Sequence, residues 1–213
     1  MVTPLPEDAR PDDPRWAIAY LELAHGLVMA GAKAKLIELL TNMRHRQVTE
    51  IYMALRGISP PAGPTMPTNP RYFAQRGRDT SEAWIIQCAI FLTYYEHMSR
   101  IAPMPLHRGW LLLASFNSYL SLTAYPDESS ATKRLDINQA YGLLTFSGFL
   151  NANANAALLR KQCPTCLIKY PILAKHQGNP QSCPLCAMKA NHRRLSTQAR
   201  PAAKHRFSRS ELK

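Results

Sequence analysis

Four cysteines in two similar clips, Cys163-Pro-Thr-Cys166 and Cys183-Pro-Leu-Cys186, are separated by sixteen residues late in the chain. A Cys-x2-Cys turn brings two sulfurs within reach of one metal ion while the backbone amides of the turn point at those sulfurs. Two such turns close a tetrahedral four-sulfur site. Pro164 and Pro184 help to pre-set the turns. The Cys-Pro-x-Cys form also fits a thioredoxin-like redox pair, but such a pair comes singly after a strand in a βαβ setting, and here two lie in a loop-rich basic segment. Zinc suits four thiolates; an iron–sulfur cluster takes the same ligands, and the spacing does not separate the two. A shell completed by Cys163, Cys166, Cys183 and Cys186 leaves no position for water or substrate, so one structural Zn2+ per chain is expected. His176, inside the spacer, is read as a loop histidine, and the fifth cysteine, Cys88, as core packing.

The segment around the clips has little else to fold it. Between Cys163 and Cys186 the large apolar residues are Leu167, Ile168, Tyr170, Ile172, Leu173 and Leu185. Metal-binding free energy is then folding free energy. The same region carries the charge. Of a net charge of +12, residues 160–213 hold twelve Lys/Arg against one acid, Glu211, whereas residues 1–159 are nearly balanced. A one-sided basic region points to nucleic acid or another polyanion. Lys169, Lys175, Lys189, Arg193 and Arg194 are the expected phosphate contacts. An RNA-binding or ribosome-associated zinc protein is the alternative, but it calls for stacking aromatics, and the basic region has only Tyr170 and Phe207. No P-loop, HExxH or GxSxG motif occurs, and the seven histidines lack metal spacing, so no enzyme is expected. No apolar run approaches the roughly eighteen residues of a membrane span. The start, MVTPLPEDARPDDPR, has no apolar stretch behind a basic head, so a cytoplasmic chain with reduced thiols is expected.

The elements that must position these groups read as mainly α. Residues 1–15 are expected as a disordered leader, 16–157 as a helical domain, 158–190 as the zinc-binding region and 191–213 as a disordered basic tail. Trp16, Tyr20, Leu23 and Leu27 fall at helical spacing, with a stop at Gly31. Leu36, Leu39, Leu40 and Met43 form a second stripe. After a break at 41–44, Val48, Ile51, Tyr52 and Leu55 form a third, ended by Gly57. The proline-rich ISPPAGPTMPTNP is an extended connector. Asp79 with Glu82 predicts a capping box for a long buried helix, Pro105 the first turn of another, and Asp136 with Gln139 a second box. Residues 36–56 thus read as a helix-turn-helix-like element, whose second helix would offer Arg44, His45, Arg46 and Gln47 to base edges and phosphates. LIKYPIL is expected as a strand.

The stretch LRGISPPAG, the preceding RHRQVTEIYMA and the late pair of CxxC clips together resemble the FlhC family, the zinc-containing subunits of the bacterial flagellar master transcriptional regulator. The resemblance runs from about residue 17 to about residue 195. It implies a mostly helical, non-enzymatic fold and a zinc held by Cys163, Cys166, Cys183 and Cys186. It also implies assembly with FlhD into a heterohexamer of four FlhD and two FlhC chains. That complex binds promoter DNA upstream of flagellar operons and activates transcription with RNA polymerase. Neither clip is followed by the glycine common after a zinc knuckle, Leu167 standing after Cys166, so the knuckle geometry is expected to depart from an ordinary zinc ribbon.

Overall fold

The computed structural model describes residues 5–10, 12–63, 67–75, 81–102, 106–124, 134–150, 156–176 and 182–198. Within them a helical body precedes a small two-stranded module. The body comprises α1 (Ala17–Met29), α2 (Ala34–Thr41), α3 (His45–Arg56), the single turn α4 (Arg71–Ala74), α5 (Glu82–Ile101), α6 (Arg108–Leu122) and α7 (Ile137–Phe146). The module comprises β1 (Leu158–Gln162), antiparallel β2 (Lys169–Leu173) and α8 (Pro184–Gln198). The mainly α reading therefore holds, and the strand expected at LIKYPIL is β2.

Helix ends follow local chemistry. Asp136 accepts from the Gln139 amide while the Gln139 side chain accepts from the Asp136 amide, which is the expected capping box of α7. At α5 the cap is Ser81, whose hydroxyl accepts from the Trp84 amide at 3.2 Å. The proposed partner Asp79 lies outside the described residues, as does Pro105. At α6 the cap is His107, whose Nδ1 accepts from the Gly109 amide at 3.2 Å. Burial, with the neighbouring Arg108 charge, pushes the His107 pKa down to about 4, which keeps the ring neutral and able to accept.

Two chain-end expectations need correction. Part of the leader is tied into the core. Leu5 is fully buried, its carbonyl accepts from the His107 amide at 2.8 Å, Pro6 bridges Leu106, and the Tyr20 hydroxyl donates to the Ala9 carbonyl. Leu5 joins the core from outside any helical stripe, so no local pattern announces it. The tail boundary at 190 also falls inside α8, so residues 191–198 are helical, and the remainder of the expected tail lies outside the described residues.

The core is continuous through α1, α2, α3, α5, α6 and α7. In α5, Trp84, Ile85, Cys88, Ala89, Phe91, Leu92 and Tyr95 are all buried, as the widened stripe predicts. Its one buried amide, Gln87, accepts from the Tyr119 hydroxyl at 2.7 Å, and that hydroxyl in turn accepts from the Leu135 amide. Residues 34–56 do form helix, turn and helix. Asn42 adopts the left-handed conformation at the C-cap of α2, and the Gln47 side chain closes the N-terminus of α3 by accepting from the Arg44 amide. Val48 and Tyr52 face inward. The inward arc of α2 is centred on Leu36, Ile37 and Leu40, which leaves Leu39 61% exposed on an open cleft of about 870 Å³. Asn138 of α7 anchors the preceding loop, accepting from the Lys33 amide and donating to the Gly31 carbonyl.

α1 and α6 meet through two glycines. A Cβ at Gly26 would clash with Leu113 Cδ2, and one at Gly109 would lie 2.9 Å from Leu23 Cδ2. Leu113 is itself buried and has little room to turn aside. Gly26→Val is expected to lower stability by about 2 kcal/mol through overpacking, measured by denaturant unfolding. An unchanged midpoint would mean that the two helices can separate freely.

Candidate metal centre and basic module

The first clip is the loop that joins β1 to β2. Antiparallel pairing of Gln162 with Lys169 puts the strand ends together. The Cys163 amide donates to the Ile168 carbonyl and the Leu167 amide to the Cys163 carbonyl, each at 3.0 Å. Leu167 reaches this geometry at φ +61°, the left-handed region where a glycine would be strain-free. The first knuckle therefore keeps its tight turn without glycine, at a cost of about 1 kcal/mol. The second clip departs from that pattern: it starts a helix. Cys183 immediately precedes α8, its carbonyl accepts from the Ala187 amide at 2.9 Å, and Cys186 lies in the first turn.

The two turns face each other. All four sulfurs lie within 4.8 Å of one another, with Cys163 Sγ to Cys186 Sγ at 3.8 Å and Cys166 Sγ to Cys183 Sγ at 3.5 Å. Metal–sulfur bonds of about 2.3 Å in a tetrahedron place sulfurs roughly 3.8 Å apart, so the donor set fits a zinc-sized ion. Cys163 and Cys183 are buried and the other two half-buried. The amides of Cys166 and Thr165 hold the Cys163 thiol down to about 6 against the pull of burial. Burial pushes Cys183 up, partly offset by the amides of Cys186 and Leu185. The hydrogen bond with Cys166, then burial, pushes Cys186 up to about 12. Cys163 thus ionises readily while Cys183 and Cys186 resist it, and a bound cation would favour the thiolate at both. His176 is half-buried beside Tyr170 and Pro184 and is not part of the sulfur group.

The module docks on α4 and α5. Cys163, Tyr170, Ile172 and Cys183 pack with Ala89 of α5, flanked by Leu159, Ile168 and Leu185. Beside this apolar contact, Glu96 of α5 takes the Arg160 guanidinium of β1 and, one turn on, Arg100. Arg160 also donates to Thr93 Oγ1 at 3.0 Å. Burial raises the Glu96 carboxyl, but Arg160, Arg100 and Lys169 outweigh it, and its pKa lies below the ordinary value. Neither Glu96 nor Arg160 stands out in the sequence, because nothing in either local pattern marks them as partners.

The predicted nucleic-acid contacts fall into two groups on different supports. Lys169 is exposed on β2, Lys175 just after it, and Lys189, Arg193 and Arg194 along α8. Lys161 of β1, which was not singled out, flanks the same knuckle. Arg44, His45, Arg46 and Gln47 are exposed at the start of α3, which packs on α1 and α2. Three of these four have local hydrogen-bond partners. Gln47 caps its own helix, Arg46 pairs with Glu50 at 2.9 Å, and His45 Nδ1 lies 2.7 Å from Glu38 Oε1. The Arg46–Glu50 pair is so exposed that releasing it costs little.

Residues 17–199 match the family described as Flagellar transcriptional activator (FlhC). A relative from Erwinia tasmaniensis, a Flagellar transcriptional regulator FlhC, is 24% identical over 169 residues, covering 79% of this chain and 85% of its own length. Another of that name from Enterobacter cloacae subsp. cloacae is 22% identical over 170 residues, 80% of each chain.

Two outcomes follow from the site. Loading zinc must strip protons at least from Cys183 and Cys186, so affinity should fall roughly a hundredfold for each pH unit below neutrality, read by competition with a zinc indicator. A flat profile would mean that these thiols are already ionised. Glu96→Gln should destabilise the module by about 3 kcal/mol at pH 7 by leaving Arg160 uncompensated. Because the folded Glu96 pKa is depressed, its contribution is present above the unfolded carboxylate value, about 4.3, and is lost as pH falls through the folded value. The gap between wild type and variant should therefore close in acid, as followed by urea unfolding across pH.

Proposed function

The chain belongs to the FlhC family of flagellar transcriptional activators, and from that premise we propose that it activates flagellar genes by binding promoter DNA, in the cytoplasm and without catalytic activity of its own. It does so in a heterohexamer of four FlhD and two FlhC chains that works with RNA polymerase, and a structural zinc on Cys163, Cys166, Cys183 and Cys186 holds the DNA-facing module. The observation that carries this reading is that the second cysteine clip is also the start of α8, so the sulfurs and the exposed cations Lys189, Arg193 and Arg194 belong to one rigid element. A metal that sets the helix start also sets where those charges point.

Phosphate neutralisation by Lys169, Lys175, Lys189, Arg193 and Arg194 supplies salt-dependent affinity. Arg44, His45, Arg46 and Gln47 on α3 supply base or shape readout. The surface for FlhD is the outer face of α1, where Ile18, Leu21 and Met29 share one side of the helix and are 73%, 42% and 61% exposed. Met53 on α3 adds a further exposed apolar side chain.

The test is co-purification with FlhD, followed by metal content and binding to flagellar promoter DNA against random DNA over a range of salt. Lys169→Ala and Lys189→Ala should each reduce the slope of log K against log salt by about 1 and weaken both DNAs alike. Arg46→Ala should instead relax discrimination while assembly survives. Unaltered discrimination would move readout away from α3, and a complex that ignores promoter DNA would remove the reading altogether.

A further inference from the structure

The start of α6 opens onto the cleft of about 870 Å³ on which Leu39 lies exposed. Its walls come from separate elements: Tyr20 of α1, Leu40 of α2, Tyr95 of α5, and Phe149 and Leu150 beyond α7. Small-molecule sites run from roughly 300 to 1,000 Å³ and combine apolar walls with a few convergent polar groups.

The polar groups here are donors. Tyr95 is only 4% exposed, its ring edge-on to Phe149 with centroids 5.4 Å apart. Its hydroxyl has no hydrogen-bond partner among the described residues, whereas the buried hydroxyls of Tyr52 and Tyr119 donate to the Ala32 carbonyl and to Gln87. His107 supplies a second donor. Its Nδ1 accepts from the Gly109 amide, so the neutral ring carries its proton on Nε2, and no described residue accepts that proton. Arg108, next in the chain, lines the same cleft, is exposed and has no ion-pair partner among the described residues. Its charge is felt at Tyr95 and His107, which sets the guanidinium beside the other two donors. The start of the fifteen-residue α6 adds the positive end of a helix dipole.

Three donors and one positive charge suit a single carboxylate. A phosphate dianion calls for more cation than Arg108 alone, and Glu7, on the same cleft and felt at the same hydroxyl, repels a second negative charge. Water would satisfy the donors but leave Leu39 uncovered; an acid with an apolar body answers both.

We propose that this cleft binds a small monocarboxylic acid with an apolar body, the carboxylate held by Arg108, the Tyr95 hydroxyl and His107 Nε2 and the body laid against Leu39 and Phe149. The site is independent of the DNA-binding reading. Leu39, Leu40 and Asn42 lead into the turn before α3, so an occupant bridges the start of α6 to the helix-turn-helix.

Octanoate and 3-phenylpropanoate are the probes, titrated by calorimetry into the full-length, zinc-loaded chain, alone and co-purified with FlhD. Each should saturate at one molecule per chain. Arg108→Gln should weaken binding about tenfold or more and Tyr95→Phe about threefold. Glu7→Gln should tighten it about twofold by removing a like charge across solvent. Octan-1-ol, with the same body and no charge, should bind about tenfold more weakly than octanoate. Thermal melts separate a binding role from a folding one. Without probe, Tyr95→Phe should melt no lower than wild type, because the hydroxyl it loses is unpartnered; with probe, it should gain less. Failure of both acids to saturate would overturn the proposal, as would equal binding of octanol and octanoate, which would leave only an apolar surface. Unchanged affinity in Arg108→Gln and Tyr95→Phe would place the acids elsewhere. Binding that FlhD abolishes would make the cleft a partner surface, and either result overturns the site.

Discussion

Convergence of four sulfurs on one point is the constraint on which the C-terminal third depends. The sulfurs of Cys163 and Cys186, and of Cys166 and Cys183, approach across the two knuckles, so the group ties the hairpin loop to the start of α8. Neither partner has an apolar interior of its own. The cluster under the clips is Cys163, Tyr170, Ile172 and Cys183 against Ala89 of the body, while Leu158 and Leu173 of the strands join the core of the helical body. Four thiols so close cannot all ionise unaided, which the divergence of Cys163 and Cys186 displays. A bound cation would remove the repulsion and turn the same closeness into folding free energy.

That module needs a rigid seat, and α5 is built as one. Its apolar residues cover more than one side, so it packs against α4, α6 and α7 and still offers Ala89, Thr93 and Glu96 to the module. The small Ala89 lets β2 approach closely, and the carboxylate beyond it captures Arg160. The contact pairs a short-range apolar fit with one ion pair whose partners are largely shielded from water. Such a pair adds little net stability against an apolar alternative but strongly penalises misalignment, because a displaced Arg160 would remain desolvated and unpaired. The orientation of the basic helix relative to the body is thereby specified as well as stabilised.

Much of this was legible in residues alone, for identifiable reasons. Helical stripes in α1, α3 and α5, the Asp136–Gln139 box and each Cys-x2-Cys clip are set by interactions within a few residues, where spacing maps directly onto geometry. The misreadings share the opposite property. The stripe of α2 points Leu39 inward, but a helix of two turns has its inward arc decided by which neighbours are present, and Leu39 is exposed. Residues 1–15 read as a loose leader, yet Leu5 is buried and its carbonyl is held by His107, a hundred residues away. Residues 191–198 look like a loose basic run, yet they continue a helix that the second clip nucleates, which spares that helix the unfavourable first turn.

The sequence by itself determined the fold class, the four-cysteine group, the one-sided charge and the family, because each is read from residue types and their order along the chain. Tertiary structure decided where the charges are carried and what holds them. It divided the candidate DNA contacts between α3 and the module, paired Glu96 with Arg160, and left Leu167 strained and uncovered at a loop tip. The physical reason is common to all three. Burial, ion pairing and exposure depend on which distant surfaces meet, and a local pattern says which face of an element is apolar without saying what will cover it.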